Sequence, residues 1–220
     1  MERYIDANRK AYDFLATQYQ TRLHNKSDFE ESPDVLGRFA LKNVLREDFK
    51  RAIKVAEFGP GNGCLLSFFE RNGCRTVGVE LSAEMAKLCK LNSPESIIIN
   101  NNVLDVNFMI AQFDLIYMGA VIHLFPKTDA ESLLKKAYNW LNENGILFIN
   151  TTCNFESIES YSSKVDYKDS PVRFRKTWTE EELIECVSRQ GFCVIEKMYT
   201  DESDRNKQWV ALSCKKACFI

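Results

Sequence analysis

An apolar strand that leads directly into closely spaced glycines constrains this chain more than any other feature of its sequence. The predicted strand covers residues 53–58, and Gly59, Gly61 and Gly63 follow it at alternating positions. An amphipathic helix begins immediately afterwards, at Cys64. Glycine at these positions lets the backbone approach a ligand closely and adopt φ/ψ values that a side chain resists. A strand, a glycine turn and a helix in this order predict a nucleotide-binding site in a parallel α/β sheet.

Two acidic residues narrow the choice of ligand. A second short strand, residues 76–79, ends in Glu80, where a carboxylate accepts hydrogen bonds from both hydroxyls of an adenosine ribose. Glu57 precedes the first glycine by two positions. Because a carboxylate beside a bound pyrophosphate is repulsive, the pattern favours an adenosyl ligand that carries a cationic centre and no phosphate.

The spacing of the glycines favours the same ligand. A dinucleotide site has the pattern G-x-G-x-x-G, whereas this chain has G-x-G-x-G between Gly59 and Gly63. Together with Glu57 and Glu80, the segment resembles the first motif of the class I S-adenosylmethionine (SAM)-dependent methyltransferases. The resemblance runs in order from about residue 53 to residue 213, and it implies SAM as cofactor and S-adenosylhomocysteine (SAH) as product. A nicotinamide dehydrogenase, which would bind NAD, is the alternative enzyme class.

The order of predicted elements defines a fold class. Five strands alternate with helices from residue 53 to residue 151, which predicts a parallel sheet covered by helices on both faces. Two last strands, 192–199 and 208–213, are joined by a short polar turn and therefore form an antiparallel hairpin. The prediction is a Rossmann-like, doubly wound α/β fold with a seven-stranded, mostly parallel sheet.

The chain is expected to form a single methyltransferase domain, residues 1–220. Its predicted parts are an N-terminal helical cap (1–50), a cofactor-binding core (53–152), a polar and irregular substrate loop (154–178), and a C-terminal helix and hairpin (179–214). Side chains that cap helices predict where several helices begin: Ser32 before Pro33, Ser82, and two capping boxes at 128–131 and 179–182.

Composition excludes several classes of function. Hydrophobic residues make up 45% and charged residues 27%, as in ordinary globular proteins. A formal net charge of −2 does not favour binding to nucleic acid, which is itself an anion.

We expect no membrane partner and a cytoplasmic location, because the sequence has neither a secretory signal nor an apolar run of about 18 residues. The eight cysteines form no C-x-x-C pair, so no metal site is expected. A monomer or a homodimer fits equally well.

The resemblance assigns roles around the cofactor. Glu57 is expected to orient the glycine loop or to reach the cofactor's ammonium, Glu80 to bind the ribose, and Leu81 to pack on the adenine. An acidic residue usually accepts from the adenine amine in this family, and here the matching position is Asn102, whose amide oxygen accepts the same bond. Asp105 competes for that role. The predicted cofactor contacts are Tyr19, Glu57, Gly59, Gly61, Asn62, Gly63, Glu80, Leu81, Asn102, Val103, Asp105 and Met118.

The predicted acceptor side follows the fourth strand. His123 is the candidate general base. The alternative is a structural histidine, since methyl transfer also proceeds by alignment and desolvation without a general base.

The sequence lacks two motifs of nucleic-acid methyltransferases after this strand: the (D/N)-P-P-(Y/F) tetrad that holds a flipped nucleobase and a Pro-Cys nucleophile. A small-molecule acceptor methylated at O or N is therefore favoured. A peptide, protein or RNA acceptor and a non-catalytic SAM-binding partner are the alternatives. The predicted acceptor contacts are Tyr12, Arg173, Arg175 and Trp178. The arginines suit an acidic acceptor, and the alternative is that their charged run is a solvated face.

Overall fold

The computed structural model describes residues 3–24, 33–44, 51–164, 167–202 and 207–217. The helices are α1 (Arg3–His24), α2 (Pro33–Val44), α3 (Cys64–Arg71), α4 (Ala83–Asn92), α5 (Lys127–Trp140) and α6 (Glu180–Arg189), with a single 3-10 turn at Ile122–Leu124. The strands are β1 (Lys54–Phe58), β2 (Arg75–Glu80), β3 (Ile97–Asn100), β4 (Phe113–Gly119), β5 (Leu141–Cys153), β6 (Ile158–Ser162), β7 (Arg173–Thr177), β8 (Phe192–Glu202) and β9 (Lys207–Lys216).

Seven strands form the central sheet in the order β3-β2-β1-β4-β5-β9-β8. Strands β1 to β5 are mutually parallel, whereas β9 runs antiparallel to both β5 and β8. The predicted fold class is confirmed. The strand order reverses between β1 and β4, and ligands of such sheets bind at the carboxyl ends of the strands at this point.

Two hydrophobic cores cover the two faces of the sheet. Helices α2 and α3 pack on one face, where Val55, Leu115 and Phe148 are fully buried. Helices α5 and α6 pack on the other, over Phe58 and Ile116. Neighbouring residues of one strand point to opposite faces, so strands buried on both sides are apolar almost throughout.

Several predicted helix starts are confirmed. Ser82 Oγ accepts a hydrogen bond from the Met85 amide at 3.1 Å, and Thr179 Oγ1 accepts one from the Glu182 amide at 3.1 Å. The capping box predicted at residues 128–131 is wrong. Helix α5 begins at Lys127, with Pro126 at the N-cap position and no side-chain cap, so Thr128 lies inside the helix and not at its N-cap position.

Two expectations from local sequence are corrected. The apolar run at residues 97–99 is typical of a buried strand, but β3 is the edge strand of the sheet and Ile97 is 63% exposed. The segment 154–178, predicted as irregular, contains β6 and β7, which pair antiparallel in a separate two-stranded sheet. Parts of the polar stretches predicted between α1 and α2 and between β8 and β9 lie outside the described residues.

Helix α1 lies across the carboxyl edge of the sheet. Asp13 Oδ1 accepts from Ser82 Oγ at 2.7 Å, which ties α1 to the start of α4. Asn8 donates through Nδ2 to the Leu124 carbonyl at 2.9 Å and accepts from the Phe174 amide at 2.8 Å. These contacts fix α1 over the end of the sheet where a ligand binds. Within the described ranges, no helix has the length and apolar character needed to cross a membrane.

Candidate active site

A cavity of about 360 Å³ opens at the carboxyl ends of β1, β2 and β4, beneath α1. Five residues of α1 line it, and four of them share one face of the helix at intervals of four and seven: Tyr4, Asn8, Tyr12 and Tyr19, with Ile5 beside Tyr4. The glycine loop after β1 forms the facing wall. The cavity therefore lies where the sequence motif and the strand order both place the ligand.

Glu80 is held rigidly at the tip of β2. Its Oε2 accepts from the Gly61 amide and its Oε1 from the Ser82 amide, both at 2.9 Å. Burial raises the pKa of Glu80 to about 7, although these backbone hydrogen bonds oppose the shift. The carboxylate thus orders the glycine loop and also lines the cavity, where it is placed to accept from ribose hydroxyls.

The three glycines have different structural roles. Gly59, Gly61 and Gly63 all have positive φ, between 57° and 83°. A Cβ on Gly61 would enter open space, so this residue leaves room at the cavity wall. A Cβ on Gly63 would lie 2.9 Å from the backbone of Cys89, which shows that Gly63 permits close packing of α3 against α4.

Glu57 is a buried carboxyl group with an unused oxygen. Only 4% of the residue is exposed, and its Oε2 has no hydrogen-bond partner among the described residues. Burial, with a smaller contribution from the charge of Glu80, raises the pKa of Glu57 to about 8. A buried, unsatisfied oxygen is costly, and the ammonium of a SAM-like ligand would satisfy it. The carboxylates at the ends of β1 and β2 thus fit an adenosyl ligand that carries a cationic group.

Asn102 and Asp105, which the sequence left as alternatives for the adenine contact, are hydrogen-bonded to each other. Asn102 lines the cavity, and its Nδ2 donates to Asp105 Oδ2 at 3.3 Å. Its Oδ1 accepts from the Leu104 amide at 3.2 Å. Asp105 does not line the cavity and instead orients the Asn102 amide.

His123 lies in the 3-10 turn after β4 and faces the cavity. The ring is 4% exposed, and Nδ1 lies 3.0 Å from Thr151 Oγ1 at the end of β5. This contact fixes the orientation of the imidazole. The geometry is compatible with both predicted roles, a general base and a structural histidine.

The far end of the cavity carries cationic and aromatic side chains. Arg173, Arg175 and Lys164 line it, and Lys164 Nζ lies 4.6 Å from the ring centroids of both Tyr19 and Tyr167. Those two rings are stacked, with centroids 4.8 Å apart. Helix α1 and the segment before β7 are thereby joined over the cavity.

The structure brings most of the predicted site residues together. Thirteen line the cavity: Tyr12, Tyr19, Glu57, Gly59, Gly61, Asn62, Glu80, Leu81, Asn102, Val103, His123, Arg173 and Arg175. Four do not line it: Gly63, Asp105, Met118 and Trp178. Met118 and Trp178 are fully buried in the core on the α5 face, since their places in β4 and after β7 point them away from the cavity.

Sequence reasoning missed several residues of the cavity wall. They include Tyr4, Asn8, Val121, Phe125, Lys164 and Trp209. The helical spacing of Asn8 with Tyr4 and Tyr12 is a signal that could have identified the face of α1. Trp209 lies on β9 and carried no such signal, because its contact with the site depends on the pairing of β9 with β5.

The fold and the site together define a Rossmann-like protein with a cavity that fits an adenosyl ligand, and comparison with known proteins shows what the chain is similar to. Residues 56–149 match the family described as "Methyltransferase domain". The phosphoethanolamine N-methyltransferase of Plasmodium falciparum is 29% identical over 127 residues, which cover 54% of this chain and 47% of that protein. The chain thus spans about half the length of the curated relative that it matches.

Solved structures show the same fold. The 1,6-didemethyltoxoflavin-N1-methyltransferase of Burkholderia thailandensis, solved with SAH, superposes with a TM-score of 0.70 at 16% identity, covering 96% of this chain and 91% of that one. A DhpI–SAH complex gives 0.73 at 15% identity and covers 97% of both chains. Over residues 56–149 the chain is therefore similar to methyltransferase domains, and over nearly its whole length it has the fold of two structures solved with SAH.

Proposed function

We propose that this protein transfers the methyl group of SAM to an oxygen or nitrogen of a small-molecule acceptor. The observation that carries the proposal is that one cavity of about 360 Å³ joins the adenosyl-binding end to a second end beneath α1. That second end contains His123 and the cationic side chains of β7. A volume of this order suits a small ligand, whereas a peptide or an RNA strand would need a long groove.

The chain's own residues would serve binding, alignment and proton removal. SAM supplies a methyl group that its sulfonium already activates. Glu57 and Glu80 would hold the ammonium and the ribose, and α1 would exclude water from the cavity, which favours an in-line displacement. His123, oriented by Thr151, would take the proton from an acceptor hydroxyl or protonated amine.

The names of similar proteins support a small acceptor. The relative from Plasmodium falciparum is named for phosphoethanolamine, and the structure from Burkholderia thailandensis for a nitrogen of a small heterocycle. Both names indicate transfer to nitrogen, so small amines belong at the head of any acceptor panel.

The test is SAH formation by the purified protein with panels of small amines, small hydroxy compounds, peptides and RNA. Calorimetric titration with SAH and with NAD comes first; SAH should bind and NAD should not. We expect turnover with one or more small molecules and none with peptides or RNA. Turnover only with a macromolecule would refute the proposal, and SAH binding without turnover on any panel would favour a non-catalytic role.

A further inference from the structure

Arg173 is a buried cation on the cavity wall. Only 3% of the residue is exposed, and its Nε and Nη1 have no hydrogen-bond partner within the described part of the chain. The guanidinium carbon lies 6.0 Å from the ring centroid of Tyr12. Burying an unpaired charge is costly. A protein that keeps one on a cavity wall has a group that a ligand can satisfy.

Arg175 presents a second guanidinium beside it. Residues 173 and 175 are two apart on β7 and therefore lie on the same face of the strand, and both line the cavity. Arg175 Nη2 donates to Thr152 Oγ1 at 2.6 Å, which fixes its position. Strand β7 packs against the 3-10 turn that carries His123, and His123 lines the same cavity as both arginines. The two arginines therefore lie on the side of the cavity where the acceptor should react.

The cavity is consequently polarised. Glu57 and Glu80 lie at the tips of β1 and β2, whereas the arginines approach from β7, which packs against α1 and the 3-10 turn. Tyr12 lines the same cavity, with its ring centroid 6.0 Å from the Arg173 guanidinium. Burial raises the pKa of its hydroxyl, Arg173 opposes that rise and Glu80 adds to it. A bound ligand whose cation lies at the acidic end and whose anion lies at the basic end would satisfy both groups of charges.

We propose that Arg173, with Arg175 beside it, forms an oxyanion subsite that binds a carboxylate or phosphate group of the methyl acceptor. The acceptor is then an anionic small molecule held at one end by the arginines, with its reacting atom near His123. A guanidinium suits this task because its planar fork donates two parallel hydrogen bonds to such groups. This inference rests on the proposed function, but its test does not require turnover.

The first measurement uses inorganic phosphate and acetate as probes on the SAH-loaded protein. Melting temperature is followed during titration with each anion at constant ionic strength, because a ligand of the folded state stabilises in proportion to ln(1 + [L]/Kd). Arg173→Met should raise the Kd for the preferred anion at least tenfold. Arg173→Lys should raise the same Kd by a smaller factor. Arg189→Met is the matched control, since Arg189 is exposed and pairs only locally with Glu185.

Each outcome of this measurement decides the question. Preference for phosphate or for acetate identifies the anion that the subsite takes. No stabilisation of the wild type by either anion, or equal stabilisation of wild type and Arg173→Met, would refute the subsite. The subsite would also be refuted if Arg189→Met weakens anion binding as much as Arg173→Met does, because the loss would then come from the change in the protein's net charge.

A second measurement separates the acceptor from the cofactor, whose amino acid tail also carries a carboxylate. Binding of SAH and of 5′-methylthioadenosine, which lacks that tail, is compared by calorimetry. We expect Arg173→Met to change both affinities less than twofold. A tenfold loss for SAH alone would assign Arg173 to the cofactor's carboxylate and end the proposal.

The stability of the ligand-free variant gives an independent check. Removing an unsatisfied buried cation should leave the melting temperature of Arg173→Met equal to or above that of the wild type. A lower melting temperature with phosphate binding retained would make the guanidinium a structural group and contradict the inference. If the methionine variant does not fold, Arg173→Lys and Arg175→Met provide the same comparison. Anion binding without any methyl transfer would refute the proposed function alone.

Discussion

Cofactor binding should depend on pH through Glu57. Its pKa is about 8 in the free protein, mainly because burial disfavours the charged form. At pH 6 the group is therefore almost entirely protonated. An ammonium placed against Oε2 favours the ionised form, so binding must release the proton. Affinity for SAH should rise with pH and level off near pH 8.

The magnitude follows from that pKa. Only the ionised fraction of Glu57 pairs with the ammonium, and this fraction rises about 50-fold between pH 6 and pH 8, which corresponds to about 2.3 kcal/mol. Glu80, whose pKa burial raises to about 7, adds an effect of the same sign below pH 7. Protonation of either carboxylate thus weakens binding.

Calorimetry can measure both the affinity and the proton released. SAH is titrated at pH 6, 7 and 8 in two buffers of different ionisation enthalpy, so that the difference in observed heat counts protons. Glu57→Gln is the matched control, because the amide has nearly the same shape and does not titrate. The variant should match the wild type near pH 6, bind more weakly at pH 8, and retain only the smaller pH dependence due to Glu80. Wild-type binding with no proton release at pH 6.5 to 7.5 would refute the role assigned to Glu57.

Three further predictions concern single substitutions. The pKa of Glu57 is higher in the folded protein than in the unfolded chain, so its ionisation lowers the free energy of unfolding between pH 4.5 and pH 8. Glu57→Gln should therefore stabilise the cofactor-free protein by roughly 3 kcal/mol at pH 7 and little at pH 4. Urea unfolding at the two pH values measures this difference. Glu80→Ala should weaken SAH binding by about tenfold or more, and unchanged affinity would remove Glu80 from the site. His123→Ala should lower kcat by about 10²–10⁴-fold with SAH affinity retained; an unchanged kcat with a lower melting temperature would make His123 structural.

Local sequence was sufficient to predict the cofactor half of the site. The run from β1 through the glycines to α3 and the end of β2 at Glu80 were identified because each signal lies within a few residues. Backbone conformation, strand alternation and helix capping act over the same short range. Parallel strands then bring Glu57 and Glu80 to one edge of the sheet without further information.

The acceptor half depended on tertiary structure. Arg173 was visible as part of a charged run, but its burial follows from α1 crossing the sheet. That crossing is fixed by contacts such as Asn8 with Phe174, which are 166 residues apart. Likewise Asp105, a rival to Asn102 in the sequence, is directed away from the cavity to support it.

The sequence by itself determined the fold class, the position of the glycine loop and the two carboxylates that line the cavity beside it. Only the tertiary structure decided which cations line the cavity, which of the predicted residues pack in the core, and that the segment before Trp178 forms two strands. The physical reason is range: hydrophobic periodicity and turn chemistry act between neighbours in the chain, whereas burial of a charge depends on which distant segments meet around it.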